Sequence, residues 1–531
     1  AAGALADNLF KAAGFNFVGW NTKADGTGTA YADGASVSNL TTENNGVVDL
    51  YAQWTTPKVW LQSTAIDSEK IDNLTRTDLD PSGTGYATLA DAIAAIATNG
   101  TGHIIFLDDI TVSTASDITN GKNVTFYSLK NGDTYFKLYM EYNSNGKGIN
   151  VKGATLNIKN GIYSARYEGL CADTSGTINI YNGTFNKPSD GSASMVRGAS
   201  GLLNIYNGTF NGKVGVSSGV IYDGTFNHIV NLLGGTVING GSFTDVGYIL
   251  GTVYIMGNTT INGGTFVSIS ISYVSNVTLT IGGSTVISNG IFCDDAGSNC
   301  IVKIVSKDVN IKSISLGDEA IEYIDFTGMA SGSTMVNPIN ISVDSPKQEQ
   351  VVAKFVDNAT AVANLNKLNL TSPTNMYLYV DGSEIKIRGD FSVSYDVTTN
   401  AGVDDTSLGV TASATFGSSD ATKYKQTASV PYGTAVDLDV THRWGTKTDS
   451  KGDTWTFIGW NTDQNATTAL DSLTMGSSAI TLYAIYSKTI TVNFKSGLAG
   501  AETSTLNETI YNTAISADRK STRLNSSHRC I

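Results

Sequence analysis

The chain has little of what usually carries chemistry. Four cysteines and four histidines in 531 residues leave little for a metal or redox centre. Charged residues make up 15%, against about 25% in ordinary globular chains. The net charge of −13 argues against nucleic acid and anionic membrane surfaces as partners. No apolar run reaches the ~18 residues of a membrane-spanning helix. Proline supplies only 7 residues, yet hydrophobic side chains reach 41%, enough for a real core and against wholesale disorder. What is abundant is glycine: 56 residues, about a tenth of the chain where roughly 7% is usual. The length suggests about three or four domains.

A repeat fills the middle of the chain. Its frame is apolar, any residue, Asn/Asp/Gly, Gly, small or apolar, Phe/Tyr. Copies begin at Ile158, Ile180, Ile205, Ile221, Ile238, Ile261 and Ile287, spaced by 22, 25, 16, 17, 23 and 26 residues. Glycine holds the fourth position throughout (Gly161, Gly183, Gly208, Gly224, Gly241, Gly264, Gly290) and an aromatic the last (Tyr163, Phe185, Phe210, Phe226, Phe243, Phe266, Phe292). Asn-Gly and Asp-Gly suit bends that need positive φ. Flanking stretches such as TINIYNGTF are rich in β-branched and aromatic residues with near period-2 alternation. One unit cannot bury its own apolar face, whereas stacked units can. The spacing predicts an all-β chain centred on a right-handed parallel β-helix, one repeat per coil. The aromatic column is expected inside and the glycine column at one corner. Scarce leucine excludes leucine-rich repeats, and the short period excludes propeller blades.

Ahead of the repeats, LADAIAAIA places Leu89, Ala92, Ile93, Ile96 and Ala97 on one helical face. Such a helix would cap the otherwise open end of the stack. The run TLADAIAAIATNGTGHIIFLDDITV (Thr88–Val112) resembles the opening of pectate-lyase-like β-helix domains. The solenoid is therefore expected over 84–330, after a linker at 57–83. Residues 331–390 are expected to form its C-terminal cap or irregular coils.

A second motif occurs twice, as FNFVGWNT (Phe15–Thr22) and WTFIGWNT (Trp455–Thr462). Each is closed by a strand-like run, DLYAQW (Asp49–Trp54) or TLYAIY (Thr481–Tyr486). Phe17, Trp20, Tyr51 and Trp54, with counterparts Phe457, Trp460, Tyr483 and Tyr486, would form small cores between short strands. The pattern F-x-G-W-N-T … L-Y-A-x-W resembles the internalin-type B-repeat, also called the Listeria–Bacteroides repeat. The resemblance implies small β-rich modules at 1–56 (N-terminally truncated) and 391–488, with the start of a truncated third at 489–517. It also implies spacers or adhesive modules on secreted or wall-attached bacterial proteins. No signal peptide is visible at Ala1. Asp518–His528, DRKSTRLNSSH, resembles a translated sequencing-adapter read-through, so 518–531 are expected to be non-biological. Without its four basic residues (Arg519, Lys520, Arg523, Arg529) and Asp518, the chain keeps 30 basic and 46 acidic residues.

β-helix folds host polysaccharide lyases and glycosidases as well as adhesins. Within 84–330 the histidines are His103 and His228, the arginines Arg166 and Arg197, and the acidic pairs Asp108–Asp109 and Asp294–Asp295. Neither pair has the His-Gly or Arg-x-Lys companion of a glycosidase, and both are expected to be structural. His228 and His442 lack ligand spacing, and no Ser-His-Asp, P-loop, CxxC or HExxH pattern occurs. No catalytic residue, metal or cofactor is expected. Cys293 and Cys300 bracket DDAGSN. A disulfide formed outside the cell, two buried thiols, and a calcium-holding loop all stay open. Cys171 is expected to be buried. Tyr181, Tyr206 and Tyr222 occupy the second frame position, where strand alternation turns them outward at about 4.8 Å spacing. They form either a strip that stacks on sugar rings or a ladder that only stabilises the coil surface.

The sequence thus leads to an adhesin-like, non-enzymatic bacterial protein of the cell surface, cell envelope or extracellular space. Its expected partners are extracellular glycans or surface proteins, met by a monomeric stalk. The alternatives are a lyase or glycosidase with a divergent site and a passive spacer. The ligand itself is not legible.

Overall fold

The computed structural model describes residues 3–43, 45–113, 116–141, 146–186, 193–244, 253–271, 276–293, 300–317, 322–396, 399–400, 403–404, 427–438, 446–448, 454–464, 466, 468–476, 478–488, 490–494 and 504–508. Two compact units emerge. The first comprises Ala1–Pro346, Val351–Pro373 and Tyr379–Lys386, the second Lys347–Gln350, Thr374–Leu378 and Ile387–Ile531.

The first unit is built on a parallel β-helix. A typical coil has three strands, Thr177–Ile180, Thr184–Phe185 and Val196–Gly198. Each pairs in parallel with the same strand of the coils before and after. Ile180 lies between Ile158 and Ile205, Phe185 between Tyr163 and Phe210, and Val196 between Leu170 and Val214. The first column of strands runs in parallel from Thr101–Phe106 to Glu322–Asp325. Alternation sends the frame isoleucines inward, all fully buried from Ile158 to Ile261.

The bend after each isoleucine delivers the aromatic to the core. Tyr163, Phe185, Phe210, Phe226, Phe243 and Phe266 stack ring on ring, with centroids 5.0, 4.8, 4.8, 4.5 and 4.4 Å apart. Tyr163, at one end, donates its hydroxyl to the Asn160 carbonyl at 2.8 Å, and burial pushes its phenol pKa up. The frame glycine is required because coils touch at this corner. At Gly208 φ is +133°, and a Cβ would lie 3.1 Å from the Gly183 carbonyl oxygen and 3.3 Å from the Phe210 ring.

The seventh copy of the frame is corrected. Ile281, not Ile287, continues the isoleucine column, facing Ile261 and Ile304. Ile287 faces Phe266 and Ile311, so it extends the aromatic column with an aliphatic side chain. Phe292 is only half-buried, outside that stack.

Segment 57–83 is not a linker in this structure. Val59–Gln62 runs antiparallel to Thr101–Phe106 and to Thr84–Tyr86. Trp60, Ile66, Leu74 and Leu79 then pack on the outward side chains Ile105, Leu107, Tyr127 and Leu129. The first coils therefore have a second layer on one face. Helix α1 (Leu89–Ala95) starts at Thr88, whose Oγ1 accepts from the Asp91 amide at 3.1 Å. Leu89, Ala92, Ile93 and Ile96 are buried, whereas Ala97 is exposed. Lys122 donates its ammonium to the Ile93 carbonyl at 2.7 Å, satisfying a carbonyl at the helix end. Coils continue past residue 330, since Ser313–Leu316, Ile339–Val343 and Leu368–Ser372 pair in parallel.

The two GWNT segments fold alike. In the first unit Asn16–Asn21 pairs with Ala30–Tyr31 and Tyr51–Thr55, with a register shift between Phe17 and Gly19. In the second unit Thr454–Asn461 pairs with Ile480–Lys488, with the same shift between Phe457 and Gly459. The Phe–Trp pairs match, Phe17–Trp20 and Phe457–Trp460 both meeting edge-on at 5.2 Å. Asn21 and Asn461 accept from Lys23 and Asp463 amides at 2.9 and 3.0 Å. Tyr51 is exposed rather than part of a core, and Tyr483 is half-buried while its neighbours Leu482 and Ala484 take the inward positions. The Tyr486 side chain lies outside the described residues. In the second unit Phe391, Val393 and Tyr395 lie on a strand paired with both Thr427–Pro431 and Ile480–Lys488. Ile490–Phe494 pairs with Ser504–Glu508. Residues 518–531 lie outside the described residues.

Candidate functional site

The outward face of the first strand column carries two side-chain ladders. Tyr181, Tyr206 and Tyr222 form the first, with ring centroids 4.6 and 4.8 Å apart and planes within 3° and 4° of parallel. Lys159 covers the free face of Tyr181, its Nζ 3.2 Å from the ring centroid. This corrects how the strip can act. The faces between neighbouring rings are taken, so a sugar ring cannot lie flat along the strip. What faces solvent is a row of ring edges and hydroxyls, Tyr206 being 37% and Tyr222 43% exposed. Burial, then the neighbours Tyr181 and Tyr222, pushes the Tyr206 phenol pKa up. Burial also holds the Lys159 ammonium below its usual range.

The second ladder is one of amides. Asn157 donates Nδ2 to Asn123 Oδ1, Asn179 to Asn157 and Asn204 to Asn179, each at 2.9 Å. Its residues were legible, since Asn157, Asn179 and Asn204 each precede a frame isoleucine by one. Asn239 and Asn262 continue the tyrosine position with another 2.9 Å amide bond. On the second strand column Asn186, Asn211, Asn227 and Thr244 form a further ladder at 2.9–3.1 Å. Half-buried Asn179 bonds on both sides, so Asn179→Ala is expected to lower stability by about 1–2 kcal/mol. Denaturant unfolding checks this, and a change below a few tenths contradicts it.

Of the acidic candidates, Asp108 and Asp109 bind backbone amides. The Asp108 carboxylate accepts from the Asp109 amide at 2.8 Å and lies 3.5 Å from Lys58 Nζ. Asp109 accepts from the Lys137 amide at 2.8 Å. Asp294, Asp295 and His442 lie outside the described residues. His228 Nδ1 accepts from the Ile229 amide at 2.8 Å. His103 is half-buried, and burial followed by the charge of Lys159 pushes its pKa down. Arg197 lies 3.7 Å from Glu168 and Arg166 lies over the Tyr167 ring. Among the described residues no three His, Cys, Asp or Glu side chains converge to hold a metal, and no helix is long and apolar enough to cross a membrane. Cys171 is buried. Cys293 and Cys300 are buried together with their Sγ atoms 2.8 Å apart.

Comparison with known proteins returns no matching family model, no matching curated protein and no matching solved structure.

Proposed function

We propose that this chain belongs to a secreted or cell-surface bacterial protein that acts as an adhesin, recognising glycans or proteins and catalysing nothing. The observation that carries the reading is the outward face of the first strand column. There tyrosine edges and asparagine amides repeat at one coil spacing, forming a linear template for an extended partner rather than a cleft around reacting atoms. Tyrosine gives apolar contact and a hydrogen-bonding tip at low entropic cost. The resemblance of the GWNT segments to B-repeats supports display on a bacterial surface, and the matching strand shifts in both copies support their being one kind of module.

The test uses the full chain and two triple variants against immobilised polysaccharides and extracellular-matrix proteins. Replacing Tyr181, Tyr206 and Tyr222 by Phe keeps the stack and removes the phenolic hydroxyls; replacing them by Ser removes the rings together with their phenolic hydroxyls. Retention is expected to fall at least tenfold in the Ser variant, with the melting curve of the first unit showing that the coils remain. Equal retention by all three chains sinks the strip as the recognition surface.

A further inference from the structure

The corner between the third and first strand columns changes along the solenoid. Its early connections have two or three residues, 174–176, 199–201, 217–218, 233–235 and 256–258. Later ones have five or six, 272–276, 294–299 and 317–321. A longer connection costs more entropy to close. Among them, 294–299 is the one rooted at both ends in cysteine. Cys293 ends the strand Val286–Cys293 and Cys300 opens the strand Cys300–Ile304. Both roots are fixed by parallel pairing, Cys293 beside Ile271 and Cys300 between Val277 and Glu322. Their sulfurs lie 2.8 Å apart, and both side chains are buried, at 3% and 2% exposure.

The geometry points to a structural disulfide between Cys293 and Cys300, which clasps a six-residue connection of this corner. Pairing of each strand with the neighbouring coils holds the two sulfurs side by side, so the bond closes without moving the coils, and the small oxidant reaches the thiols as the chain folds, before they are buried. The oxidant is a low-molecular-weight disulfide such as oxidised glutathione. One cysteine thiolate attacks its S–S bond, forming a mixed disulfide and releasing one thiol. The second cysteine thiolate then attacks the protein sulfur, forming the Cys293–Cys300 bond and releasing the second thiol. Each cysteine loses its proton, and the two electrons reduce the small disulfide to two thiols. Cys171 sits in another coil, beside Asn150 and Arg197, and takes no part. The clasp stands apart from the adhesin reading, because it concerns the solenoid itself.

The full chain is refolded in a glutathione redox buffer, unfolded with an alkylating agent present, and digested for mass mapping. The expected result is a peptide containing Cys293 and Cys300 that is unalkylated and two hydrogens lighter, with Cys171 alkylated. Alkylation of both Cys293 and Cys300, or pairing of either with Cys171 or Cys530, overturns the clasp. A second measurement needs no mapping. Reductant lowers the melting temperature of the oxidised chain by roughly 5 °C and leaves the Cys293→Ser/Cys300→Ser variant unmoved. A reductant effect of equal size in that variant contradicts the proposal. Retention on glycans or proteins is scored separately, so loss of the clasp leaves the adhesin reading standing and the reverse.

Discussion

Phe210→Ala is expected to destabilise the first unit by about 4 kcal/mol, near the middle of the range for emptying a buried aromatic site. Phe210 is fully buried and stacked on both sides, 4.8 Å from Phe185 and 4.8 Å from Phe226. Its removal therefore takes away two ring–ring contacts as well as apolar area. The cavity cannot collapse readily, because parallel strand pairing to the coils on either side fixes the spacing of the neighbouring rings. Phe210→Leu keeps most of the volume and is expected to cost less than half as much. Denaturant unfolding of both variants decides it, and a loss under about 1 kcal/mol for the alanine variant contradicts a continuous stack.

Gly219→Val is expected to do more harm still. The connection before it, 217–218, has only two residues, and it brings Gly219 onto the preceding coil at φ +147°. A Cβ there would lie 1.8 Å from the Leu203 carbonyl oxygen and 2.7 Å from the carbonyl carbon. The obstacle is backbone, so no rotamer change relieves it, and the conformation is one that only glycine adopts cheaply. The expected cost exceeds about 4 kcal/mol, read as loss of soluble, folded protein or as a large fall in the denaturation midpoint. A variant that folds with a near-normal midpoint shows that Gly219 does not sit against Leu203 in this way.

Much of the fold was legible because each coil repeats one physical task at a fixed offset. Isoleucine fills the core, glycine passes the corner, and the aromatic stacks on its predecessor. Where the letters repeat and the task does not, the reading slips. Ile287–Phe292 carries the same letters, yet it lies within one continuous strand, Val286–Cys293. The bend has moved earlier, to Gly282 and Gly283, where a Cβ on Gly283 would lie 1.9 Å from the Asn262 carbonyl oxygen. Segment 57–83 is hard to read for the opposite reason. Trp60, Ile66, Leu74 and Leu79 have no period, so nothing in their spacing announces that they cover Ile105 and Tyr127. Tyr51 shows that bulk does not imply burial, since it is exposed while Leu50 and Ala52 beside it are half-buried. The outward direction and spacing of the tyrosine strip were legible, but the plane of its rings was not. Spacing fixes how far apart side chains stand, and only the side-chain torsions decide whether their faces meet each other or a ligand.

The central claim is that this solenoid holds a partner and does not cleave it. The full chain, with calcium present, is passed over a panel of immobilised polysaccharides and extracellular proteins, and both bound chain and released oligosaccharides are measured. Retention on at least one surface with no released product is the expected result. Released oligosaccharides would contradict the claim and turn attention to Asp108, Asp109, Asp294 and Asp295.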